Sequence, residues 1–274
     1  MVDIRLLILD IDGTIAPRSN QVTAKVKKCL QQVQAKGIRI ALATGRMFHS
    51  ALPFHRTINS DLPLIAYNGA WIKDPFSDTL HREFALPTVI ALEILDYLES
   101  SPWHPYLDIH CYYDDRLYVR EITSETEQYM NRAGVKPHQV GDLRPIIAQT
   151  TIKLLAISPD GMIMQQLIQE LRERFGHTEV HFTQSTDIYL EITHSQANKG
   201  LAAQYLVEEL LGLSADQVLA IGDNFNDREL LRYAGLGIAM GDAPDEVKEL
   251  ADWVTADAEE DGVAIALEKW LLNP

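Results

Sequence analysis

Apolar runs punctuated by small and polar residues set the rhythm of this chain. "RLLILDI" (5–11) is continuously apolar until its aspartates, the pattern of a strand buried on both faces of a parallel sheet. Thr23 stands as N-cap before "AKVKKCLQQVQAK" (24–36), where Val26, Cys29, Leu30 and Val33 share one helical face and Gly37 takes the position after the helix end. "IRIALATG" (38–45) and "LPLIAYNGA" (62–70) are two more apolar runs. Strand, helix, strand, helix, strand in this order predicts an α/β fold built on a parallel sheet.

The pattern changes near residue 83. A helix over "PTVIALEILDYLESS" (87–101) precedes "DIHCYYDDRLYVRE" (108–121), which predicts a hairpin turning at Asp114-Asp115. "TIKLLAISP" (151–159), a helix over 161–176 and "EVHFTQSTDIYLEIT" (179–193) extend this to an α+β module. The aromatic cluster Trp103, Tyr106, Tyr112, Tyr113 and Tyr118 is expected to form its core. The first rhythm then returns: helix "NKGLAAQYLVEELLG" (198–212), strand "QVLAIGD" (217–223), helix "DRELLRYAG" (227–235), short strands "LGIAMG" and "DWVTA", and a last helix "DGVAIALEKWLL" (261–272). The expected organisation is a core in two parts, 1–82 and 191–274, interrupted by an inserted domain, 83–190.

Composition narrows the function. With 46% hydrophobic and 23% charged residues the 274-residue chain has the make-up of a soluble globular protein. No run reaches the roughly 20 apolar residues of a membrane span. The start, "MVDIRLLILD", lacks a signal-peptide pattern, so a cytoplasmic protein is expected. Cys29 and Cys111 are far apart and outside any CxxC pattern, which argues against a disulfide framework or zinc site. Acidic residues outnumber basic ones, 39 to 24, for a net charge of −15, which disfavours nucleic-acid binding. An anionic substrate would need local cations to hold it.

Three apolar strands end in polar signatures: Asp10-Ile11-Asp12-Gly13-Thr14, Thr44-Gly45-Arg46 and Gly222-Asp223-Asn224. In an open α/β sheet, ligands bind beyond the carboxyl ends of parallel strands, so these distant residues should converge. Asp10, Asp12 and Asp223 would form an oxygen-rich cluster suited to a hard cation such as Mg²⁺, which shares its shell with phosphate. Lys199, at a helix start, could add a second positive charge.

In their order and spacing, these motifs resemble the haloacid dehalogenase (HAD) superfamily of phosphatases. The insertion between "TGR" (44–46) and "NKG" (198–200) resembles that superfamily's Cof-type branch, as do "YNGA" (67–70), "GDNFND" (222–227), "AMGDAP" (239–244) and "EEDGVAIAL" (259–267). Asp242 departs from the branch, which more often has Asn there. The resemblance implies a Rossmann-like HAD core carrying an α+β cap that closes over the site and reads the leaving group. It implies a Mg²⁺-dependent phosphatase of a small phosphorylated metabolite, such as a sugar phosphate. Asp10 would be the nucleophile that forms an aspartyl-phosphate, and Asp12 the acid and base that also offers its backbone carbonyl to the metal. Thr44 and Gly45, with Arg46, would hold phosphate, Lys199 would balance the charge, and Asp223 would bind the metal. Asn226 would reach the phosphate, and Asp227 would orient Lys199 or a metal-bound water.

Blander readings stand beside these. Arg46 reads equally as a substrate contact or a surface salt bridge. "GLGIAMG" (235–241) has a dinucleotide-like glycine spacing but lacks the βαβ context, and reads as helix cap plus turn. "HTEVH" (177–181) reads as surface strand rather than a zinc motif. Two other functions stay open: a phosphotransferase or phosphomutase on the same scaffold, and a non-catalytic Mg²⁺- or phosphate-binding regulator. A receiver-like regulator would have no need of Asp12 or of a full-sized cap. Neither the substrate nor the oligomeric state is readable.

Overall fold

The computed structural model describes residues 3–273. Its first segment opens with strand β1 (Leu6–Leu9), buried throughout, and helix α1 (Ala24–Ala35), which buries Val26, Cys29, Leu30 and Val33 and is capped by the Thr23 hydroxyl accepting from the Val26 N–H. Strand β2 (Arg39–Leu42) and helix α2 (Phe48–Thr57) follow. The next run predicts a third parallel strand, but only Leu64–Ala66 (β3) is extended. It meets the end of β2 by one parallel bridge, Ala43 to Ile65, and otherwise pairs antiparallel with β4 (Trp71–Lys73). The physical reason lies in Tyr67, Asn68 and Gly69, all three at positive φ (52°, 55° and 95°), which reverse the chain at once. Strand β5 (Leu80–Glu83) completes this small sheet.

A second compact unit runs from Glu83 to Ala197. It contains α3 (Thr88–Ser100), β6 (Asp108–Tyr113), β7 (Arg116–Val119), α4 (Ser124–Ala133), β8 (Pro137–Gln139), α5 (Arg144–Ile147), β9 (Thr151–Ile157), α6 (Gly161–Phe175), β10 (Val180–Thr186) and β11 (Tyr189–His194). The hairpin β6–β7 turns at Asp114 and Asp115, whose φ values of 50° and 52° suit a two-residue turn matching strand twist. The six strands lie in the order β10-β11-β9-β6-β7-β8. Leu95 and Leu98 of α3 and Leu167 and Leu171 of α6 pack with Cys111, Leu154 and Ile192 of the sheet into one apolar cluster. Of the expected aromatic core, Tyr112 is buried and Trp103 and Tyr118 pack against the cluster, whereas Tyr106 is exposed. The unit ends between Ala197 and Asn198 rather than at 190, because β11 continues to His194 in register with Val180 of β10.

The remaining chain, from Asn198, packs with the residues up to Arg82. Helix α7 (Lys199–Gln204) widens into π turns over Tyr205–Leu210. Then come β12 (Val218–Gly222), α8 (Arg228–Tyr233), β13 (Leu236–Ala239), α9 (Asp245–Lys248), β14 (Trp253–Val254) and α10 (Gly262–Leu267). Five parallel strands in the order β14-β13-β12-β1-β2 form the sheet, with Leu9 of β1 opposite both Ile221 and Leu42. That register delivers Asp10, Ala43 and Gly222 side by side at the carboxyl edge. No helix among the described residues is long and apolar enough to cross a membrane.

Candidate active site

Backbone geometry aims the functional side chains. Asp10 leaves β1 still bound to β12, its N–H donating to the Ile221 carbonyl at 3.1 Å. Gly13, at φ +78°, turns the chain, and a Cβ there would sit 2.2 Å from Asp223 Oδ2. Only glycine lets the first and third signatures approach so closely. Beyond β12, Gly222 plays a similar part, since its Cβ would lie 2.5 Å from Asp227 Cγ. Lys199 is the first residue of α7, whose N-cap Asn198 accepts from the Leu201 N–H at 2.8 Å.

The charges meet over the end of the sheet. Lys199 Nζ lies 2.6 Å from Asp10 Oδ1 and 2.6 Å from Asp227 Oδ1. Lys199 and Asp227 are fully buried and Asp10 nearly so. The other Asp227 oxygen accepts from the backbone N–H groups of Asp223 (3.0 Å) and Asn224 (3.2 Å). Asp227 therefore ties Lys199 to the loop that presents Asp223. Asp223 Oδ1 in turn accepts from the Thr14 hydroxyl at 3.1 Å.

Burial pushes the Asp10 carboxyl up to about 7; Lys199 pulls against this, while Asp227 and Asp12 add to the rise. Asp223 is raised well above the usual carboxylate range by loss of water and by the charges of Asp10 and Asp227. Burial works against the charge of Lys199, but Asp10 and Asp227 overcome it and raise its pKa, so it is an ammonium. Carboxylate oxygens of Asp10, Asp223 and Asp227 lie within 4.8 Å of one another. Ionised together, three carboxylates against one ammonium would leave two negative charges uncompensated in a dry place, which is what raises Asp10 and Asp223, and the donors are all oxygen. That set fits a divalent hard cation such as Mg²⁺. With both Asp227 oxygens engaged, Asp10 and Asp223 are the carboxylates suited to face the ion.

Asp12 stands apart from this cluster. Its carboxylate makes a two-point ion pair with Arg46: Nε to Oδ2 and Nη2 to Oδ1, each 2.7 Å. Arg46, read from sequence equally as a substrate contact or a surface salt bridge, is buried and ion-paired with Asp12. Thr44 is also buried, and its hydroxyl accepts from the Arg46 N–H at 3.1 Å. Gly45 lies half-buried between them. The Asn226 amide donates to Asn68 Oδ1 at 3.0 Å. Three contributors escaped sequence reasoning: Thr14, Asn20 (which accepts from Arg46 Nη2 at 2.6 Å) and Asn68. Thr14 and Asn68 sit inside quoted motifs and carried a signal of position; Asn20 carried none.

The sequence profile of the haloacid dehalogenase-like hydrolases matches residues 7–267. A 5-amino-6-(5-phospho-D-ribitylamino)uracil phosphatase of Bacillus subtilis is 28% identical, with 97% of each chain covered. A pyridoxal phosphate phosphatase of Escherichia coli is also 28% identical, covering 95% of this chain and 96% of its own. Among solved structures, a haloacid dehalogenase-like hydrolase from Bacteroides thetaiotaomicron superposes with a TM-score of 0.83 at 26% identity, covering 97% of this chain and 99% of its own.

Proposed function

The chain belongs to the haloacid dehalogenase-like hydrolase family, as an enzyme of its phosphatase type, and from that premise we propose that it is a Mg²⁺-dependent phosphatase of a small phosphomonoester, a sugar phosphate or similar metabolite. Two relatives equally identical to this chain carry different substrates in their names, so the class of ester is argued here rather than one compound.

The observation that carries the reading is the buried Asp10–Lys199–Asp227 chain beside Asp223 at the carboxyl edge of the sheet. An Asp10 carboxylate oxygen attacks phosphorus, and the bond to the ester oxygen breaks with its electron pair staying on that oxygen. Asp12, a carboxylate paired with Arg46 in the free site, takes up a proton as the anionic ester binds beside it and gives that proton to the departing alkoxide. Water then attacks the aspartyl-phosphate, passing a proton back to Asp12, and the bond between phosphorus and Asp10 breaks to release phosphate. Lys199 holds the nucleophile in place and offsets charge on the transferring group, while Asp227 fixes Lys199. Asp10, Asp223 and the backbone carbonyl of Asp12 would hold Mg²⁺, which supplies positive charge against the phosphoryl oxygens when bound. Thr44 and Gly45 would receive phosphate oxygens at the end of β2, and Asn226 would do so from the loop after β12.

Phosphate release from a panel of sugar phosphates and small phosphomonoesters tests this, with chelator and Asp10→Asn as controls. Release abolished by both controls is expected. A folded protein that releases nothing from any ester would overturn hydrolysis and turn attention to transfer between two sugars.

A further inference from the structure

Arg46 is held from four directions. Its guanidinium grips both Asp12 oxygens, donates to Asn20 Oδ1, and lies 4.6 Å from the centre of the Phe54 ring. Its backbone carbonyl accepts from the Tyr67 N–H at 2.9 Å, and the neighbouring Asn68 N–H donates to the Thr44 carbonyl at 2.9 Å. Tyr67 and Asn68 both take positive φ to make those bonds, a conformation L residues avoid. Backbone strain is thus invested in fixing the loop that carries Arg46. Three of the five guanidinium N–H groups are committed to Asp12 and Asn20. Exposure separates the pair: the Arg46 side chain is 8% exposed and that of Asp12 35%. Whatever approaches from solvent meets the carboxylate, with the guanidinium behind it.

We propose that Arg46 is a positioning residue for Asp12, fixing the plane and place of its carboxylate for proton exchange, and not a ligand of the transferred phosphoryl group. This rests on the phosphatase reading, in which Asp12 protonates the leaving oxygen as the P–O bond breaks and later takes the proton of the attacking water. A planar fork suits the task, because two parallel bonds define an orientation that a single ammonium does not.

The leaving group separates the two roles. p-Nitrophenolate departs without a proton, whereas an alkoxide needs one. kcat/KM for p-nitrophenyl phosphate and for an alkyl phosphate would be measured in wild type, Arg46→Ala, Arg46→Lys, Asn20→Ala and Asp12→Asn, all checked for folding by thermal unfolding. Misplacing the acid predicts a loss of about 100-fold on the alkyl ester in Arg46→Ala, against about threefold or less on the aryl ester. Asp12→Asn should show the same asymmetry, and adding Arg46→Ala to it should cost nothing further. Arg46→Lys should resemble alanine more than wild type, and Asn20→Ala should show the same asymmetry, weaker. Equal losses on both esters, or losses that multiply in the double variant, would overturn the positioning role and return Arg46 to the phosphate. A wild type inactive on both esters would instead overturn the phosphatase reading, and this inference with it.

Discussion

Replacing Asp10 by Asn should make the metal-free protein more stable while ending its chemistry. Asp10 is nearly buried, and its carboxyl is raised from 3.8 to about 7 even with Lys199 beside it. A group whose folded pKa is raised contributes its full stability below the unfolded value and loses it as pH climbs through the folded value. The folded wild type, freed of divalent cations, therefore weakens between about pH 4 and pH 7 and stays weakened above that. At 1.36 kcal/mol per pH unit, the displacement from 3.8 to about 7 corresponds to about 4 kcal/mol. Asn stands in for the neutral carboxyl at every pH, and its Oδ1 can still accept from Lys199.

Thermal unfolding in chelator should then place Asp10→Asn above wild type by up to about 10 °C at pH 8, with the gap closing towards pH 4. Excess Mg²⁺ should reverse the order at pH 8, since an ion that binds the folded state stabilises it, and the wild-type carboxylate is the ligand proposed for it. An Asp10→Asn protein no more stable than wild type at pH 8 in chelator would refute the reasoning. It would mean that the attraction of Lys199 outweighs the loss of water around Asp10.

Three further outcomes follow from the same geometry. Gly13→Ala, whose methyl would meet Asp223 Oδ2 at 2.2 Å on a backbone at φ +78°, should cost about 2 kcal/mol or more and erase most of the Mg²⁺-induced rise in unfolding temperature. Asp227→Asn places an amide NH₂ against either the Lys199 ammonium or the Asp223 and Asn224 N–H groups, so Mg²⁺ titration and phosphate release should both weaken by about 10- to 100-fold. His110 is buried, with Nε2 3.0 Å from the Thr126 hydroxyl and Nδ1 without a hydrogen-bond partner, and burial lowers its pKa from 6.5 to about 3. The unfolded chain takes the proton first, so the inserted unit should lose about 2 kcal/mol between pH 7 and pH 5, read as faster amide exchange in β6 and absent in His110→Gln.

Which parts of this were legible before the structure depends on how far each relationship reaches. Strands buried on both faces are continuous apolar runs, so β1, β2 and β12 could be read directly, and with them the edge where Asp10, Thr44 and Asp223 emerge. The strand at 62–70 was read too long, because three successive positive φ values fold the chain back after Ala66, and an ordinary Tyr does not announce one of them. Helix α4 was not read at all: it buries only Thr126, so no apolar stripe marks it, although its Thr123 cap and left-handed Gly134 are visible afterwards. The identity of Arg46's partner was beyond reach for another reason. A long side chain 34 residues away in sequence has many possible ends, and what selects Asp12 is a set of non-local constraints. Phe54 lies beneath the guanidinium, Asn20 beside it, and the strained Tyr67-Asn68 backbone holds the loop. The carboxylates and the lysine of the candidate site could be found by motif, while the contacts that hold them had to be found by distance. The Arg46–Asp12 and Arg46–Asn20 contacts are of the second kind: a motif match names Arg46 without its partner and passes over Asn20.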